Sequence, residues 1–166
     1  MSVIQKPLLI FVRLDAQVGA FGIERAVKSL SLVGNILALS SIYKKQLNPD
    51  VIDFNAELIF VIKLETSFSY LQILDELKKI HGIPVEVLAF AQEIRMIPGQ
   101  NLPHTLLHSD EVVLRCASEA WGSYEHPVLG QTLNELVRSS RQLMNVDFFA
   151  QGTKFLPVVN GAEDKV

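Results

Sequence analysis

The chain has 166 residues, 15 Lys+Arg against 18 Asp+Glu, and a net charge of −3 with neutral histidines. Hydrophobic residues make up 49% and charged residues 20%, which excludes a disordered or collagen-like chain and leaves room for a core burying about two-thirds of the unfolded surface. The mild acidity argues against a general nucleic-acid binder; the single cysteine, Cys116, excludes an internal disulfide and a cysteine-based zinc site; no apolar run reaches the roughly 18 residues of a membrane span.

Residues 7–12 (Pro-Leu-Leu-Ile-Phe-Val) form an apolar run of strand length. A loop with Gly19 and Gly22 follows, and then Ile23, Ala26, Val27 and Leu30 recur at helical spacing. Gly34 is placed to end that helix. Residues 35–43 read as a second strand, 44–54 as a loop around Asn48-Pro49-Asp50, and 57–65 as a third strand. Ser69 with Gln72 makes a capping box for a second helix, whose apolar face is Tyr70, Ile73, Leu74, Leu77 and Ile80 and whose end is marked by Gly82 and Pro84. Residues 85–90 make a fourth strand; regular alternation puts Val85, Val87 and Ala89 on one side and Glu86, Leu88 and Phe90 on the other. Pro98-Gly99 marks a turn, 106–120 reads as mostly helical, and Thr132 with Glu135 caps a further helix carrying Leu133, Leu136 and Val137. Residues 146–159 are too apolar for a free tail, so they are expected to pack on the domain or to pair across a dimer.

This order implies an α+β fold with a ferredoxin-like β-α-β-β-α-β core, helices on one face of an antiparallel sheet, and a C-terminal extension. A single domain over 1–160 with a disordered tail at 161–166 is expected. The N-terminus makes a poor signal peptide, so a soluble cytoplasmic protein is expected.

The common motifs for chemistry are missing: no Walker loop, Gly-x-Gly-x-x-Gly, His-Glu-x-x-His or Gly-x-Ser-x-Gly. Phe11 and Phe60 read as core rather than as a base-stacking platform. His104 and His108 are spaced i, i+4, but a third metal ligand is not near them in sequence. His126-Pro127 reads as a loop contact, and His81 as a partner for the carbonyls ending the second helix.

One longer run carries a resemblance. His126-Pro127-Val128-Leu129-Gly130-Gln131-Thr132-Leu133-Asn134-Glu135-Leu136 resembles the C-terminal motif of 6-hydroxymethyl-7,8-dihydropterin pyrophosphokinase (HPPK). Five further stretches agree in order: the helical spacing of 23–30, Leu39-Ser40-Ser41-Ile42-Tyr43, Leu64-Glu65-Thr66-Ser67, the helix end at 77–80, and Leu102-Pro103-His104 with Leu107-His108. The likeness covers about 8 to 137. It implies the transfer of diphosphate from ATP to a hydroxymethyl pterin in folate synthesis, with two Mg²⁺ held by an Asp-x-Asp pair on the fourth strand, and arginines that neutralise developing charge.

The resemblance fails at the residues that would do this chemistry. The family's Arg-x-x-Asp-x-Asp run falls on His81-Gly82-Ile83-Pro84-Val85-Glu86, so the first metal carboxylate becomes Pro84 and only Glu86 is left as a weak metal ligand or a solvent-facing strand residue. Residues 79–84 leave no room for the family's mobile loop, about ten residues shorter than expected. A basic residue falls on Asp110, and the turn after the first strand becomes Arg13-Leu14-Asp15. The pterin asparagine falls on Ile59 in the preferred register, or on Asn55 when Asp53-Phe54-Asn55-Ala56 is matched instead. His104 matches a nucleotide-contacting position, with a structural hydrogen bond as its other reading.

The expectation is a diverged pyrophosphokinase homologue with lost or much reduced catalysis and a role in binding a protein partner or small ligand. One alternative is an active enzyme using Mg²⁺ and ATP, with Asp15 or Glu93 completing the metal site. The other is a ferredoxin-like interaction domain. No nucleic acid or membrane is expected as partner, and a homodimer is open.

Overall fold

The computed structural model describes residues 3–47, 55–140 and 146–156. The first apolar run is part of a longer strand, β1 (Lys6–Asp15), at the centre of a mixed architecture. After it come α1 (Gly19–Leu30), β2 (Asn35–Leu39), β3 (Ile42–Gln46), β4 (Ala56–Thr66), α2 (Tyr70–Lys78) and β5 (Val85–Phe90). Three helices, α3 (Leu106–Ser109), α4 (Glu111–Trp121) and α5 (Leu133–Ser139), precede β6 (Asp147–Ala150). The strands form one antiparallel sheet in the order β5-β1-β4-β3-β6, and β2 pairs the far end of β4 on the same side as β3, at Ile62–Glu65 where β3 pairs Ala56–Ile59. Among the described residues no helix is long and apolar enough to cross a membrane.

The expected β-α-β-β-α-β core is present, but helices cover both faces of the sheet rather than one. Along β1, Leu8, Ile10, Val12 and Leu14 point to one face, where they meet Ile23, Ala26, Val27 and Leu30 of α1 and Ile73 of α2. Leu9 and Phe11 point to the other, against Val113, Cys116 and Ala117 of α4 and Leu133 of α5. A strand buried on both sides needs apolar residues at every position, which is why β1 reads as a continuous run. Each such side chain contributes about 1.5–3 kcal/mol by leaving water. Phe11 and Phe60 are both buried in these cores.

The two capping boxes form as read. Ser69 Oγ accepts from Gln72 N–H while the Gln72 side chain accepts from Ser69 N–H, and Thr132 and Glu135 do the same. The expected single strand over 35–43 is two strands, because Ser40 turns inward at the break. Its hydroxyl accepts from Val61 N–H at 2.9 Å, and its own N–H donates to the Val61 carbonyl at 2.9 Å. Lys44 to Gln46, read as loop, belong to β3. The first helix ends at Leu30, not at Gly34; Gly34 is instead packed so closely on β4 that a Cβ would collide with the Glu65 carbonyl oxygen. His81 is exposed and does not bond the end of α2, whose cap is made by the N–H groups of Lys79 and Ile80.

The alternation read into β5 fails at one residue. Val12 pairs with Val85, Phe11 with Glu86 and Ile10 with Val87, but Leu9 pairs with Ala89. Leu88 is therefore a bulge, and beyond it the faces exchange: Phe90 joins Val85 and Val87 in the α1–α2 core, and Ala89 joins Leu88 in the α4–α5 core. In the C-terminal segment, β6 adds to β3, and Phe155 and Leu156 pack on the α1–α2 core, while Phe148 and Phe149 remain exposed. The Asn48-Pro49-Asp50 turn, Asp53, Phe54, Val158, Val159 and the tail at 161–166 lie outside the described residues.

Candidate functional site

β5 is the outer strand of the sheet, and a groove of about 470 Å³ runs along its free edge. Its apolar wall is Tyr70, Leu74 and Leu77 of α2 with Ile83, Val85 and Val87; its polar wall is Glu86, Gln100, Asn101 and His104, and Lys78 stands at one side. The second wall comes from the chain after β5. Glu93 pairs with Arg95 at 3.0 Å, and the Arg95 guanidinium lies 4.4 Å from the centre of the Tyr70 ring. Arg95 and Leu102 form a β-bridge, closing a turn in which Gln100 N–H donates to the Ile97 carbonyl and Gly99 takes a positive φ of 79°. A cis Leu102–Pro103 bond follows. His104 N–H then donates to the Leu88 carbonyl at 2.7 Å, tying the wall to β5.

Two candidates from the sequence, Glu86 and His104, meet here. His104 Nδ1 accepts from Leu106 N–H at 3.1 Å, so the ring carries its proton on Nε2. Nε2 lies 2.6 Å from Glu86 Oε2. Both side chains reach the groove: Glu86 is 40% exposed and His104 25%. The pair presents a fixed imidazole and a carboxylate with Oε1 left to accept a ligand's N–H. Pairing with Phe11 puts Glu86 on the α4–α5 side of the sheet, and the bonds from His104 N–H to the Leu88 carbonyl and from Leu106 N–H to Nδ1 hold the imidazole towards it.

A pair of magnesium ions does not fit these donors. Mg²⁺ takes carboxylates and phosphate oxygens in strict octahedral geometry. Glu86 already holds His104, and Pro84 offers no side-chain oxygen. Neither carboxylate named as a substitute is available. Asp15 accepts from Gln17 N–H at 2.9 Å and sits four positions along β1 from Phe11, about 13 Å at strand rise. Glu93 is occupied by Arg95. Among the described residues no three His, Cys, Asp or Glu side chains gather as a metal site.

The other candidates are dispersed. Asn55 lines a separate hollow of about 250 Å³ with Arg13, Asp15, Glu57 and Pro84. Ile59, the other register's choice, is buried in the α4–α5 core. Asp110 is half-buried and caps α4, accepting from Val112 N–H at 3.0 Å and Val113 N–H at 3.1 Å. His104 precedes α3 while His108 lies in it, and His108 packs edge-on against His126 with ring centres 6.3 Å apart. His126 is a buried loop residue whose Nδ1 accepts from Val128 and Leu129 N–H; burial, with a smaller push from His108, holds its pKa below the usual value. Sequence reasoning missed Lys78, Gln100 and Asn101 in the groove, although the polar run after Pro98-Gly99 was the visible signal.

No family model matches the sequence, and no curated protein does. Solved structures do match the fold. Wild-type HPPK-DHPS from Plasmodium falciparum, crystallised with pteroate, superposes with a TM-score of 0.68 at 12% identity over 83% of this chain. The same enzyme with pterin and p-hydroxybenzoate gives 0.66 at 13% over 82%. This chain spans 43% of the length of either of those chains. At that identity the likeness is one of fold, and the fold of this chain is HPPK-like.

Proposed function

We propose that this chain is a diverged HPPK-fold protein that has given up diphosphate transfer and keeps the groove beside β5 for binding. The observation that carries this reading is the Glu86–His104 pair. The one carboxylate at the family's metal motif is engaged by an imidazole, and its partner position is Pro84. Phosphate recognition is weakened in the same way: Asp110 serves as a helix cap, and among the described residues Lys78 is the one cation lining the groove. The connection from α2 to β5, residues 79–84, is too short for the lid that the family's loop at this place would supply to exclude water. The groove itself is well formed, with apolar walls and a few convergent polar groups, as binding sites are.

The test is AMP release from ATP with Mg²⁺ and 6-hydroxymethyl-7,8-dihydropterin, alongside calorimetric titration with a non-hydrolysable ATP analogue. The expected result is no AMP above the rate without protein. AMP release that Glu86→Gln abolishes would overturn the reading and make the chain a working pyrophosphokinase.

A further inference from the structure

The backbone along the groove is as informative as its side chains. Arg13 N–H donates to the Pro84 carbonyl, and Ala91 N–H donates to the Pro7 carbonyl. Odd-numbered residues of β1 therefore bond towards β5. Val85 and Val87, opposite Val12 and Ile10, must turn their N–H and C=O groups the other way, into the groove. Further along, the Leu88 carbonyl is already taken by His104 N–H, which ends the open stretch. Two donors and two acceptors remain on a sheet edge flanked by a helix.

We propose that an extended segment of a partner protein adds here as a strand beside β5; this rests on the reading of the groove as a binding site without diphosphate transfer. A strand laid on this edge sends alternate side chains to opposite sides. One set meets Leu74 and Leu77 of α2, so it is apolar. The other meets Glu86, whose Oε1 accepts from a lysine or arginine. At the Glu86 end of the groove, away from Lys78, charge favours this occupant over a nucleotide, since a phosphate beside that carboxylate is repelled. The rim also favours a polypeptide. Ile94, Met96 and Ile97, on the loop that builds the polar wall, are 53%, 70% and 49% exposed, an apolar margin suited to a macromolecular surface.

The test selects random linear peptides, each about nine residues long and so enough for one strand, against the full chain. The best sequence is then bound to isotope-labelled protein. The expected winners carry a lysine or arginine with apolar residues at alternate positions. Their binding slows amide exchange at Val85 and Val87. Glu86→Lys weakens them by about tenfold, as loss and reversal of one close charge pair does, and reselection against that variant returns Asp or Glu at the same place. Amide spectra of the variant check that it remains folded. Failure to enrich any peptide, protection elsewhere than Val85 and Val87, or unchanged affinity in Glu86→Lys would overturn the proposal. Protection of those two amides by an ATP analogue alone would replace the peptide with a nucleotide and leave the loss of catalysis standing. AMP release would overturn that loss whatever the peptides do.

Discussion

Asp110 stands where the resemblance expects a basic residue, so Asp110→Arg is the substitution that would repair the match. It should instead damage the fold. The carboxylate accepts from Val112 and Val113 N–H at 3.0 and 3.1 Å at the start of α4, and α4 supplies Val113, Cys116 and Ala117 to one core. Loss of an N-cap acceptor costs about 1 kcal/mol, within a range of about 0.5–2. A cation at that helix end adds about 0.3–1 kcal/mol by facing the positive end of the macrodipole. Together these amount to about 2 kcal/mol, or a fall in Tm of about 4–8 °C for a chain of this size. Thermal and urea unfolding of Asp110→Asn, Asp110→Ala and Asp110→Arg resolves the terms. Asn keeps an acceptor and should lose only a few tenths of a kcal/mol; Ala loses the cap, and Arg loses the most. If Asp110→Ala unfolds with wild type, or if Asn falls as far as Arg, the cap is not what Asp110 contributes.

Three further outcomes are expected. Gly34→Ala drives a Cβ into the Glu65 carbonyl oxygen and should cost about 1–3 kcal/mol, read from the urea midpoint; a neutral result would mean that β4 yields freely there. His126 has a folded pKa below its usual 6.5, with His108 of α3 facing it, so the unfolded chain takes up a proton more readily. Its contribution is intact above pH 6.5 and is lost as pH falls through the folded pKa. The urea midpoint of His126→Gln should therefore drop less between neutral and mildly acidic pH than that of wild type, and an equal drop would remove His126 as the cause. Cys116 is buried and its thiol is pushed up to about 12, so Ellman's reagent should label it only on unfolding; rapid labelling of the native chain would show that α4 opens readily.

Much of the scaffold was legible because its causes are local. The apolar run opening β1, the i, i+3, i+4, i+7 set on α1, and the Ser69–Gln72 and Thr132–Glu135 boxes each need only a few neighbouring residues. The Ser40 break was not legible, because its partner is Val61, a residue on another strand. The Leu88 bulge is likewise set by register against β1. Glu86 and His104 were each picked out by resemblance, but their contact depends on the turn through Arg95 and Leu102, so sequence spacing could not predict it. Asp110 is within reach of local reasoning, since an aspartate directly before Glu-Val-Val is a helix start signal.

The bulge at Leu88 makes β5 two short segments spliced out of phase. Val87 is the last residue in step with the groove end, and Ala89 and Phe90 take their orientation from the core end. Deleting Leu88 would bring the halves into one phase and force either Glu86 away from His104 or Phe90 out of its core. The extra residue thus insulates the two ends from each other: side chains at 85–87 can be exchanged in search of new partners while the packing at 89–90 keeps its own frame.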